Sequence, residues 1–225
     1  MAWSKAQAAK IAAAKTATFD SIPTQGNLLI CIGAIRANGT FTGAPGSGTW
    51  SQAILNNADG TYPGVAVWYK IAGAGESATV TYTADVSGGV GICIIEYTNT
   101  GVANALLDNQ ITAVGSSAAP ASGSLTCAQS DELKLLAIEV RSTTAFSNWT
   151  NGFGEVGTVA TGSGGGSSRM GVADILGGGT SDGGCTSGNA AWRASQVAFK
   201  ILAAGGLSIP VAMQNYRQRR GNANG

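Results

Sequence analysis

The stretch Gly91-Ile92-Cys93-Ile94-Ile95-Glu96-Tyr97 limits what this chain can become more than any other. It is apolar on both parities as far as Ile95 and rich in β-branched residues. Ser87-Gly88-Gly89 closes it on one side and Thr98-Asn99-Thr100-Gly101 on the other. A short apolar run between turn residues reads as a strand, and apolarity on both parities calls for cover on both faces. Residues 28–35, 133–140 and 197–202 have the same character and are its expected companions.

Further strands are expected at 16–22, 49–55, 65–71, 78–83, 155–160 and 169–176, with shorter ones at 111–114 and 124–127. In 78–83, Val80 and Tyr82 alternate with Thr79, Thr81 and Thr83, so this strand should keep one wet face. Residues 102–109 read as irregular, 115–123 as a loop or edge, and 161–168 and 177–188 as loops. Short strands at this spacing predict an all-β fold, an antiparallel sandwich.

Residues 2–15 differ. Ala, Lys and Gln are good helix formers, and Trp3 and Ile11 are the only large apolar side chains. The stretch reads as a helix-prone N-terminal arm, either loosely ordered or ordered on a neighbouring subunit. At the other end, residues 203–225 carry an apolar patch, Leu207, Ile209 and Val211, and a basic cluster, Tyr216, Arg217, Arg219 and Arg220. They read as a tail that docks on a neighbour or is simply solvated. The expected organisation is an arm (1–15), a sandwich (16–202) and a basic tail (203–225).

Composition narrows function mainly by exclusion. There is no histidine, which removes Ser-His-Asp and Cys-His nucleophile pairs and every histidine-based zinc site. The four cysteines, Cys31, Cys93, Cys127 and Cys185, are too widely spaced for a zinc or redox motif. Cys31 and Cys93 are expected as buried thiols, or as a bridged pair if their strands are neighbours. No phosphate-binding glycine motif leads into a helix. Glu96, Glu139 and Asp174 are the carboxylates that could form a hydrolytic pair, but each has a plainer role as a strand-end charge near Arg36, Arg141 or Arg193. Trp50, Trp68, Trp149 and Trp192 could stack on sugars, although Trp68 and Trp192 lie within strands and read as core. Trp149, in the polar Asn148-Trp149-Thr150-Asn151-Gly152, is the best glycan candidate, although an aromatic closing a sandwich end is the commoner role.

Charged residues are only 11% of the chain and the net charge is +1, so no basic face for nucleic acid is expected. No apolar run reaches bilayer length, and Lys5, Lys10 and Lys15 interrupt any secretory signal core. No membrane partner, cofactor or metal is expected. A low-charge surface of Ser, Thr, Asn and Gly suits an extracellular or virion-surface protein.

The order of several motifs carries a resemblance. Pro23-Thr24-Gln25-Gly26-Asn27-Leu28-Leu29-Ile30 opens a strand, Thr49-Trp50 follows a polar loop, and Val67-Trp68-Tyr69-Lys70 precedes Gly73-Ala74-Gly75-Glu76. Ile94-Ile95-Glu96-Tyr97 and Val197-Ala198-Phe199-Lys200 complete the pattern. Over residues 16–202 this resembles the jelly-roll-like β-sandwich structural proteins of tailed bacteriophages, either capsid decoration (cement) or tail-associated. The resemblance implies no catalytic residues. It implies a virion structural protein on the capsid surface, partnered by the major capsid protein or other virion subunits and by copies of itself. Trp3, Ile11, Leu207, Ile209, Val211, Tyr216, Arg217, Arg219 and Arg220 would then be assembly contacts. The alternative is a carbohydrate- or receptor-binding module of a phage tail or cell surface.

Overall fold

Alternation and apolar runs among the described residues resolve into strands. The computed structural model describes residues 3–36, 38–46, 48–99, 105–162, 168–177 and 180–201, and among these there is no helix. The first half supplies β1 (Trp3–Lys5), β2 (Lys10–Ala12), β3 (Thr16–Thr18), β4 (Leu28–Ile35), β5 (Phe41–Gly43), β6 (Ser51–Asn56), β7 (Gly64–Ile71), β8 (Thr79–Thr81), β9 (Thr83–Ala84) and β10 (Val90–Asn99). The second half supplies β11 (Ala105–Ser117), β12 (Ala121–Leu125), β13 (Leu133–Val140), β14 (Gly154–Ala160), β15 (Arg169–Leu176), β16 (Ser181–Gly184) and β17 (Ala190–Ile201).

Each half folds into its own antiparallel sheet. The first runs β1-β10-β4-β7-β6, with β2 also on β10, and the second runs β11-β17-β13-β15-β14. The sheets face one another across a shared core. Ile30, Ile32, Val67, Cys93 and Ile95 of the first meet Leu135, Ala137, Val172, Val197 and Phe199 of the second. Tyr69 and Phe199 touch edge to face across this gap at 5.1 Å between ring centres.

The halves are repeats of one another in three dimensions. Leu28 pairs with Ile71 and Ile35 with Gly64; at the matching places Leu133 pairs with Leu176 and Val140 with Arg169. Val90 lies opposite Ile35 as Trp192 lies opposite Val140. The edge strands match as well: the register of β6 shifts between Gln52 and Ile54, and that of β14 between Glu155 and Gly157. A small outer pair recurs too, β3 with β8 in one half and β12 with β16 in the other. The sandwich is antiparallel as expected. Its connectivity, with each sheet drawn from one half of the chain, differs from the interleaved Greek keys of a jelly roll.

Both sheets are covered on their outer faces, which explains why β4, β10 and β13 are apolar on both parities. Outside the first sheet, Leu29, Cys31, Trp68, Ile92 and Ile94 lie under Ala17, Phe19, Phe41, Val80 and Tyr82. Outside the second, Leu136, Ile138 and Ala173 lie under Phe146, Phe153 and Cys185. Gly33 makes room for the first cover, since a Cβ there would press on Phe41, Trp68 and Tyr82. These three rings sit 5.5–5.8 Å apart. The Tyr82 hydroxyl donates to the carbonyls of Ala34 and Gly91, each at 3.1 Å. Thr79 and Thr81 face solvent beside buried Val80, as the alternation predicts.

Several expectations are corrected. Residues 3–15 form no helix; β1 and β2 pair with β10, which makes this stretch part of the first sheet. Trp3 is buried in the shared core and its Nε1 donates to the Asp131 carbonyl at 3.1 Å, so tertiary burial outweighs helix propensity here. Residues 105–117, expected as irregular chain, a short strand and the start of a loop or edge, form the single long β11 along β17. Residues 181–184, inside a presumed glycine-rich loop, are β16.

Candidate functional site

The three candidate carboxylates are all buried, stand apart and perform different tasks. Glu96 is on the outer parity of β10 and buried. Its Oε1 accepts from the Thr24 amide at 2.8 Å and Asn27 Nδ2 at 2.6 Å, and its Oε2 accepts from Gln7 Nε2. Gln7 in turn accepts from the Ser21 amide at 3.2 Å. Glu96 therefore ties the N-terminal strands to the turn before β4. Asp174 faces inward on β15, opposite Leu135. It accepts from the Tyr97 hydroxyl at 2.7 Å and pairs with Lys5 Nζ at 2.8 Å, joining the sheets along one side.

Glu139 also faces inward, but four positions further along β13, about 13 Å from Leu135 at normal strand rise. It is fully buried, accepts from Thr161 Oγ1 at 2.6 Å, and its Oε2 has no hydrogen-bond partner among the described residues. Burial pushes its carboxyl up to about 7. A hydrolytic pair needs its carboxyls roughly 5–10 Å apart on one cleft. These three converge on no such cleft.

The cysteines are thiols, and register explains why Cys31 and Cys93 are not bridged. Cys31 lies opposite Ile94 and Cys93 opposite Ile32, so the two side chains leave opposite faces of the first sheet. Burial raises both well above the ordinary thiol value, Cys93 to about 12. Among the described residues no group of three or more Cys, Asp or Glu could hold a metal ion.

Trp68 and Trp192 are buried, as their place within strands predicts. Trp149 is half-buried; its ring packs 5.6 Å from Phe146, a Cβ on Gly171 would strike both rings, and its Nε1 donates to Glu155 Oε2 at 3.0 Å. It serves as cover for the second sheet. Trp192 donates to Ser117 Oγ at 3.0 Å. A cavity in the first half is lined in part by aromatic side chains that are themselves buried. Phe41, Thr42, Gly43, Ala44, Trp50, Gln52, Leu55 and Trp68 line a cavity of about 270 Å³. It sits where the outer cover stops short of edge strand β6. Lys70 stands 5.5 Å from the Trp50 ring centre and is held by Glu76 at 2.7 Å. The β6 bulge turns Gln52 and Leu55 towards this cavity, a detail of register that residue order does not reveal.

On the other side of β6 a second opening, of about 380 Å³, separates it from β11 and is lined by residues 52–56 and 110–112. Asn56 Nδ2 reaches across it to Thr112 Oγ1 at 3.1 Å. At the equivalent place in the other repeat Ile11 of β2 closes against Gly157 of β14. Ile11, like Trp3, thus contacts its own chain. Leu207, Ile209, Val211, Tyr216, Arg217, Arg219 and Arg220 lie outside the described residues. No family model, curated protein or solved structure matches the chain.

Proposed function

We propose that this chain is a virion structural protein, a capsid decoration or cement subunit that stabilises a shell by bridging neighbouring capsid subunits. The observation that carries this reading is the distribution of covered and open surface. Both faces of both sheets are buried by the chain itself, while edge strands β6 and β11 open on the same side of the sandwich. Leu55 on β6 and Leu106 and Val114 on β11 are exposed there at 39%, 40% and 41%. Open edges with unpaired backbone groups are natural places for another chain to add. Low charge and the separation of the three carboxylates fit a mechanical task.

With Trp3 buried and Ile11 partly buried against β14, the gripping elements in this reading are these edges and the tail. The tail contributes its apolar residues Leu207, Ile209 and Val211 and its basic residues Arg217, Arg219 and Arg220. The test is to reconstitute particles lacking the chain with the full protein and with a version ending at residue 206. Regular copies on the shell in cryo-electron micrographs, with reduced occupancy for the shortened chain, are expected. A protein that never associates with shells, or that is confined to tails, overturns the reading.

A further inference from the structure

We propose that this chain pairs with a second copy of itself across its open side, β11 of one copy running antiparallel to β11 of the other about a two-fold axis. The proposal gives the open edges an occupant and does not depend on the capsid reading. From Leu106 to Ser117 no residue of β11 is buried, whereas β17 beside it is buried from Trp192 to Phe199. Past the bulge at Leu107 the strand keeps an unbroken register with β17 from Asn109 to Ser117. The Gln110 amide donates to Asn109 Oδ1 at 2.8 Å, which turns it to the open edge. Alternation along an antiparallel ladder turns the amides of Thr112, Val114 and Ser116 the same way. These are backbone groups that an added strand can satisfy.

The distribution of charge selects the occupant. Edge strands are commonly kept from pairing by charged side chains, proline and bulges. The other side of the sandwich is protected in this way: β1 and β2 carry Lys5 and Lys10, and β14 carries Glu155 at its bulge. On the open side β6 has a bulge but no charge, and residues 109–117 of β11 have neither charge, bulge nor proline. Asp108, the one charge on β11, is bound by Lys200 at 2.7 Å and accepts from the Ala128 amide at 2.9 Å. A neutral edge meets its own copy without like-charge repulsion, whereas a strongly charged partner finds no countercharge there. A two-fold axis at Ala113 sets Thr112 opposite the second copy's Val114, a β-branched pair on each side of the axis. The same axis brings the β6 edges towards each other, since β6 and β11 open on one side and are joined by the Asn56–Thr112 hydrogen bond. Together β6 and β11 offer 6 and 13 residues, close to the roughly 20 a side of a small standard interface.

The test is sedimentation equilibrium on the full chain, on Val114→Lys and on a version ending at residue 206. A dimer with a Kd of about 1–10 µM is expected for the full chain and for the shortened one. Val114 is exposed, so Val114→Lys should keep the far-ultraviolet circular dichroism spectrum. It sets like charges about the axis and should raise the Kd at least about tenfold. Leu176→Lys, at an exposed position on β15, should leave the dimer intact. Ala113→Cys should give a disulfide-linked dimer on mild oxidation that the parent chain does not. Facing residues of a non-hydrogen-bonded antiparallel pair bring their Cα atoms to about 4.5 Å, within disulfide reach. A full chain that stays monomeric at about 100 µM, where such a dimer would predominate, overturns the proposal. So does a dimer that is indifferent to Val114→Lys, or that Ala113→Cys does not link. A dimer lost on ending the chain at residue 206 assigns the contact to the tail and overturns it as well. Monomers that still decorate shells leave the capsid reading standing, and dimers that bind no shell remove that reading alone.

Discussion

Glu139 shows how one buried side chain sets a pH response. Its carboxyl lies between the sheets with one oxygen satisfied and the other without a partner among the described residues, and burial raises it from 4.5 to about 7. The folded state therefore favours the protonated form more than the unfolded chain does. The stability this confers is complete below pH 4.5 and is lost as pH rises from there through 7. Glu139→Gln keeps the shape and removes the charge. It should raise the thermal midpoint at pH 8 by roughly 5 °C or more and change it little at pH 4, read by calorimetry across pH. An equal effect at both pH values would show that the carboxylate is not strained by burial. The sequence placed Glu139 on a strand, but which parity faced the core followed only from register with β15 and β17.

At the scale of elements, the N-terminal strands are the clearest case of tertiary context overriding local preference. The composition of residues 2–15 favours helix, yet β10 has a free edge that β1 and β2 fill, and the core takes up the Trp3 indole. Trp3→Ala should cost about 3–5 kcal/mol in urea unfolding, the range for deleting a buried large aromatic. An arm independent of the fold would lose almost nothing. Strands β4, β13 and β15 were legible to the residue, because apolar runs bounded by turn chemistry leave few alternatives. The long β11 was not, because its half-exposed, mixed pattern gains strand character only from pairing with β17.

At the scale of the molecule, the two repeats share one core, so neither is expected to stand alone. Residues 1–101 or 102–202 expressed separately would expose the inner face of a sheet, and should aggregate or self-associate as judged by size-exclusion chromatography and NMR dispersion. A monomeric half with cooperative unfolding would show that each sheet and its cover suffice. The sequence by itself determined that this chain is all-β, where most central strands run, that they need cover on both faces, and that histidine chemistry is absent. Those properties depend on local pattern and composition. Only the tertiary structure decided that the chain is two matching halves, that Cys31 and Cys93 point apart, that the carboxylates do not meet, and that the Trp149 ring packs on Phe146 beside Gly171. Each of these depends on strand register and on which sheet face a side chain leaves, and a one-residue change of register reverses them without altering the hydrophobic pattern along the chain.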